Sequence, residues 1–155
     1  MKIEFLPLFV QSAVSVLNEL GISEVKPGEG GRAGQPRNGS GIVVRVGITG
    51  QLAGYVSYDL STDTATAIAG VMLERKILQY DSTVQSAITE LGNMISGRAM
   101  GSLGKEGYKV DITPPVIVTG AKIHMADKER PVCLGVPLVT EHGEISLTLS
   151  LRRVP

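Results

Sequence analysis

Tryptophan is absent, and four Tyr and two Phe are the whole aromatic complement of 155 residues. So sparse a set leaves little surface on which bases could stack. An excess of charge of one sign is lacking too: 15 basic and 15 acidic side chains give a formal net charge of zero. Such a balance offers no electrostatic footprint for nucleic acid or an anionic membrane. With Cys133 as the single cysteine, an internal disulfide is excluded, and the chain fits a reducing cytoplasm. Within PVCLGVPLV that cysteine reads as a small apolar strand residue rather than a nucleophile. No run reaches the roughly 18 unbroken apolar residues that spanning a bilayer requires. At the N-terminus Lys2 is followed at once by Glu4, and the apolar positions recur with helical spacing, unlike a secretory leader.

Cofactor and metal motifs are equally scarce. Neither His124 nor His142 has a second His, Cys or acid at the spacing that holds zinc. Gly28, Gly30 and Ala33 mimic a dinucleotide turn, but they follow no strand, open no helix and sit between Pro27 and Pro36. Gly104-Lys105 lacks the upstream glycine and the following Ser or Thr of a phosphate-binding loop. No Ser-His pair suggests a nucleophilic triad. The chain is therefore expected to carry no metal and no cofactor of its own.

What is present is a globular composition, with 43% hydrophobic and 19% charged residues, enough for one domain over 1–155 with a sizeable core. Residues 3–20 space Leu6, Phe9, Ala13, Val16, Leu17 and Leu20 as an amphipathic helix, with Gly21 as its stop. Residues 25–40, rich in glycine and proline, read as a flexible loop, because few apolar side chains are there to offset ordering entropy. Ile42, Val44, Val46 and Ile48 alternate along one strand, and Leu52, Val56, Tyr58 and Leu60 along a second, joined by a tight hairpin at Thr49-Gly50. Ser61 or Thr62 caps a second helix with Ala65, Ile68, Ala69 and Met72 on its buried stripe. Asp81 or Ser82 caps a third that runs to about Leu103 or Gly104. Strands follow at Pro115 to Thr119, around Val132 to Leu138, and from Ile145 to Leu151, the last two joined through Glu141-His142-Gly143. The order α-β-β-α-α-β-β-β predicts a two-layer α+β domain: a mostly antiparallel sheet with helices on one face. Strict alternation in the last strand implies that the other face is wet unless another subunit covers it.

The third helix carries the chemistry. At about 100° per residue, Ser86, Asn93 and Gly97 all fall within about 60° of Glu90, on one side of it. Val84, Ala87, Ile88, Leu91 and Ile95 centre about 120° the other way. An acid, an amide, a hydroxyl and a gap thus share the solvent side. A solvated face would usually explain such a stripe. Asn93 is a poor helix former, however, and Gly92 and Gly97 each cost roughly 1 kcal/mol relative to Ala. The misfits point to close approach by another molecule.

Ser86, Glu90 and Asn93, followed by Pro114-Pro115, reproduce a pattern of Asp or Ser, three residues, Glu, two residues, Asn, and a proline about twenty residues on. On this motif, and on GITGQLAGYVSYDLSTDTA in the first half, the chain resembles the CheX/CheC/FliY family of chemotaxis phosphatases. One copy of the signature, where CheC-type members have two, favours a CheX-like member. The resemblance implies a CheC-like fold and hydrolysis of the aspartyl phosphate of a CheY-like response regulator, opposing a histidine kinase in taxis signalling. It also implies that Asn93 holds water in line with the phosphorus and that Glu90 pairs with a lysine of the regulator. Mg²⁺ is then expected in the partner, and a homodimer built through sheet edges. Gly97 would let the partner's loops approach the helix backbone, and Ser86 would touch the partner at the rim or be an ordinary exposed serine. A non-catalytic regulator-binding or flagellar-switch-type scaffold remains the alternative.

Overall fold

The computed structural model describes residues 5–32, 41–119 and 133–155. The first helix, α1 (Phe5–Glu19), buries Phe5, Leu6, Phe9, Ala13, Val16 and Leu17. It stops at Gly21, which adopts φ +105°, while the Ile22 amide donates back to the Leu17 carbonyl at 2.9 Å. Only glycine takes that backbone conformation without strain, so the predicted stop has a geometric cause.

Two short strands, β1 (Lys26–Pro27) and β2 (Gly31–Arg32), precede β3 (Ile42–Gly50) and β4 (Leu52–Leu60), which form the predicted hairpin. Helices α2 (Thr62–Leu73) and α3 (Ser82–Lys105) follow. Ser61 caps α2, its hydroxyl accepting from the Thr64 amide at 3.1 Å. Strands β5 (Val110–Ile112), β6 (Val116–Thr119), β7 (Leu134–Thr140) and β8 (Gly143–Arg153) complete the described chain. All pairings are antiparallel, in the order β1-β7-β8-β4-β3-β5, with β2 also on β7 and β6 also on β3. The predicted order of main elements holds, with helices against one face of the sheet. There Ile42, Val44, Val46 and Ile48 of β3 meet Leu52, Val56, Tyr58 and Leu60 of β4 in a single buried cluster. Among the described residues no helix is long and apolar enough to cross a membrane.

Three expectations need correction. The segment expected to be a loop over 25–40 contributes two short strands, β1 (Lys26–Pro27) and β2 (Gly31–Arg32), both paired with β7. The Gly28 amide donates to the Pro137 carbonyl at 2.8 Å. Backbone pairing at a sheet edge needs no apolar side chains, so composition is silent about it. Residues 33–40 lie outside the described residues, as do His124 and Val132. Second, β5 was not expected. It is three residues long and pairs with the end of β3 through Ile48, Thr49 and Gly50.

Third, the outer sheet face is not simply wet. Ser57 and Ser150, on that face, are only 6% and 2% exposed. The Arg45 guanidinium lies 3.9 Å from the centre of the Tyr55 ring, its Nε donates to Ser57 Oγ at 3.1 Å, and Tyr55 Oη lies 3.3 Å from Cys133 Sγ. The Arg45 side chain thus reaches across the strands to both Tyr55 and Ser57 on that face.

Candidate functional site

Asp81 starts α3. Its backbone is extended, and its Oδ1 accepts from the amides of Thr83 at 3.0 Å and Val84 at 3.2 Å. Two of the four orphan amides of the first turn are thereby satisfied. The helix then buries Val84, Ala87, Ile88, Leu91, Ile95, Ala99 and Leu103 against the sheet and the other helices. That arc leaves Ser86 and Glu90 exposed and Asn93 half-buried.

These three side chains line one open groove of about 490 Å³. Ser82, Gln85 and Thr89 extend it along the helix, and Pro115 and Ile117 form the opposite wall. That wall is placed by β6, which pairs with β3 from Arg45↔Val116 to Ile42↔Thr119 while α3 packs over β3. Glu90 and Asn93 thus share the groove with Pro115 and Ile117, Asn93 half-buried and Glu90 exposed. Among the described residues no hydrogen bond or ion pair engages the Glu90 carboxylate or the Asn93 amide. The Thr89 hydroxyl, by contrast, donates to the Gln85 carbonyl at 2.7 Å and turns back on its own helix.

The two helix glycines separate. Gly97 is exposed, and a Cβ built there would meet nothing within 4 Å. It lies one turn beyond Asn93 but does not line the groove. Gly92 is buried, and its Cβ would lie 2.8 Å from Val44 Cγ1 and 3.3 Å from the Tyr58 ring. Gly92 therefore serves close packing of this chain's own sheet, which corrects the sequence reading that assigned both glycines to an outside partner.

Sequence reasoning placed none of Ser82, Gln85, Thr89 and Ile117 in the site, and named Ser82 only as a candidate cap. The first three share the stripe's spacing and could have been found from it. Ile117 carries no local signal, since only the pairing of β6 with β3 brings it to α3. Among the described residues no group of three or more His, Cys, Asp or Glu side chains comes together that could hold a metal ion. His142 sits in the β7–β8 turn, its Nε2 3.6 Å from Glu141 Oε1, away from the groove.

Residues 42–138, a span containing every residue that lines the groove, match the family model described as chemotaxis phosphatase CheX. The chain belongs to the CheX family. Among CheX relatives, the CheY-P phosphatase CheX of Thermotoga maritima is 35% identical over 113 residues, which is 72% of this chain and 72% of that protein. A chain of the CheX-CheY-BeF3-Mg²⁺ complex from Borrelia burgdorferi superposes with a TM-score of 0.84 at 26% identity, over 98% of this chain and 100% of that one. A CheC-like superfamily protein from a Shewanella species gives 0.83 at 25% identity, over 98% and 99%. As a CheX-family member, the chain is an enzyme of the phosphatase class with a CheC-like fold.

Proposed function

We propose that this chain accelerates hydrolysis of the aspartyl phosphate of a CheY-like response regulator, with Asn93 as the catalytic residue and Glu90 as its docking partner. The observation that carries the reading is the groove itself: an acid and an amide, three residues apart, open to solvent and without partners of their own among the described residues. The named relatives support it, one being a CheY-P phosphatase and the other held in a complex with CheY, BeF3 and Mg²⁺.

The division of labour follows from phosphoryl-transfer chemistry. An acyl phosphate on the regulator already has a good leaving group, and Mg²⁺ in that partner would neutralise charge on the phosphoryl oxygens. Little covalent chemistry remains, so positioning carries most of the gain. The Asn93 amide accepts from and donates to a water molecule in line with the P–O bond to be broken. As water attacks, that bond breaks, the carboxylate departs, and the proton passes to the phosphate product. Glu90 pairs with a lysine of the regulator and sets the register. Ser86 contacts the partner at the rim, and the bare backbone at Gly97 admits its loops. The whole chain acts as one domain in the cytoplasm, as a homodimer joined at sheet edges.

Loss of acyl phosphate from a phosphorylated CheY-type receiver is followed with and without the protein. Asn93→Ala should lose about 10²–10³-fold of the acceleration, equivalent to about 3–4 kcal/mol, with binding retained. Glu90→Lys should chiefly weaken binding, since it reverses a charge. If wild type binds the receiver without changing its phosphate lifetime, the chain is a regulator-binding scaffold and the catalytic reading fails.

A further inference from the structure

Gly92 and Ser96 are the two residues of the buried arc of α3 that are not aliphatic, and they stand one turn apart beneath the site. The Tyr58 ring fills the hole left by Gly92, where a Cβ would lie 3.3 Å and 3.5 Å from its Cδ2 and Cε2. Its hydroxyl reaches on to Ser96, with Oη 2.8 Å from Ser96 Oγ. Tyr58 is 3% exposed and Ser96 0%. The ring cannot drift sideways, because Tyr58 is paired with Val44 on one side and Leu147 on the other, in the middle of the sheet.

We propose that Tyr58, Gly92 and Ser96 form a lock that sets the rotation and height of α3, and so act as positioning residues for the site. The inference rests on the catalytic reading of Asn93 given above. Asn93 directly follows Gly92 and precedes Ser96 by three residues, and Glu90 precedes Gly92 by two, so the lock lies under both. Aliphatic packing alone resists displacement but is not directional. A buried hydrogen bond is directional, and leaving either hydroxyl unpaired is costly. The geometry amplifies small errors: a side-chain tip about 6 Å from the helix axis moves about 2 Å when the helix turns about 20°. Misplacement of about 1 Å can cost about 10²-fold in a reaction that depends on alignment. A core serine that only satisfied a tyrosine could sit anywhere on the arc. This one sits where it fixes the amide's aim.

The test measures kcat and KM for dephosphorylation of a CheY-type receiver charged with acetyl phosphate. Variants are Tyr58→Phe, Ser96→Ala, their double combination, Gly92→Ala, and Ile145→Val as a core control remote from the site. Both single variants should lower kcat about 5–50-fold and leave KM within about twofold. The double variant buries a matched apolar pair, so its thermal stability should recover toward wild type while kcat stays low. A purely structural role would restore both together, and that result overturns the proposal. Gly92→Ala should also lower kcat, because Val44 or the helix must give way, and Ile145→Val should lose stability without losing kcat. If wild type and Asn93→Ala prove equally inactive, the catalytic reading falls and takes the lock's role with it. If Asn93→Ala alone is impaired and every lock variant keeps wild-type kcat, only the lock is refuted.

Discussion

Gly92 and Gly97 lie on the same helix and answer to different neighbours. A methyl group at 92 would press on Val44 and Tyr58, whereas at 97 it would meet open space. The same holds at Gly101, further along α3, where nothing lies within 4 Å of the added Cβ. Replacing an exposed helix glycine by alanine removes backbone freedom from the unfolded chain and should stabilise by about 0.5–1 kcal/mol. Gly97→Ala and Gly101→Ala should therefore both raise the thermal midpoint in a melting experiment. Their effects on function should diverge if a partner approaches at 97: Gly97→Leu should raise KM for the phosphorylated receiver, and Gly101→Leu should not. Equal KM values would remove the docking role of Gly97.

At the scale of elements, α3 is long but intrinsically weak. It carries Gly92, Gly97, Gly101 and Gly104 within Ser82–Lys105, so its ends depend on specific ties. At the start, Asp81 satisfies two amides, and Asp81→Ala should cost about 1 kcal/mol of stability by denaturant titration. Hydrogen exchange should then quicken first in the Ser82–Gln85 turn, which lines the groove. Toward the other end, Arg98 binds Glu19 of α1 through both terminal guanidinium nitrogens, and its Nη1 also donates to Ser15 Oγ at 2.8 Å. Hydrogen bonding to Arg98 holds the Glu19 carboxyl below the usual carboxylate range. A depressed carboxyl stabilises the fold above its unfolded pKa, and that contribution disappears as pH falls through the lower folded value. Because the pair is exposed, the effect should be small and should fade in high salt. Arg98→Ala should abolish this acid- and salt-sensitive part of the melting curve.

For the whole molecule, the buried Tyr58 links helix, sheet and pH. Burial raises the pKa of its phenol well above the ordinary value of about 10, against a smaller opposite pull from the Ser96 hydrogen bond. The stability of the fold is then intact below about pH 10 and declines as pH rises, because the unfolded chain releases its proton first. The limiting slope is about 1.4 kcal/mol per pH unit for one proton. Urea titrations between pH 9 and 11 should show this decline, and Tyr58→Phe should flatten it. At the same scale, the β1/β2 and β5/β6 sides of the sheet are its edges. A homodimer joined there should show twice the chain mass by light scattering and unchanged phosphatase activity per chain. A monomer of unchanged activity would remove the dimer and leave the site as it stands.

Periodicity alone determined the helices, the main strands and the side of α3 on which Ser86, Glu90 and Asn93 fall, because each is a property of one element's own repeat. The stop at Gly21 was equally legible and the two helix caps were legible to within one residue, Ser61 or Thr62 and Asp81 or Ser82, since local backbone chemistry decides them. Long-range contact decided the rest. The groove needs β6 beside β3 to supply Pro115 and Ile117, and no local pattern places that strand. Gly92 looked like Gly97 until the sheet lay beneath it. The strands at Lys26–Pro27 and Gly31–Arg32 exist only because the edge of β7 offers them hydrogen bonds. An amino-acid sequence specifies which face of an element is apolar, but which surface meets that face depends on how distant segments pack together.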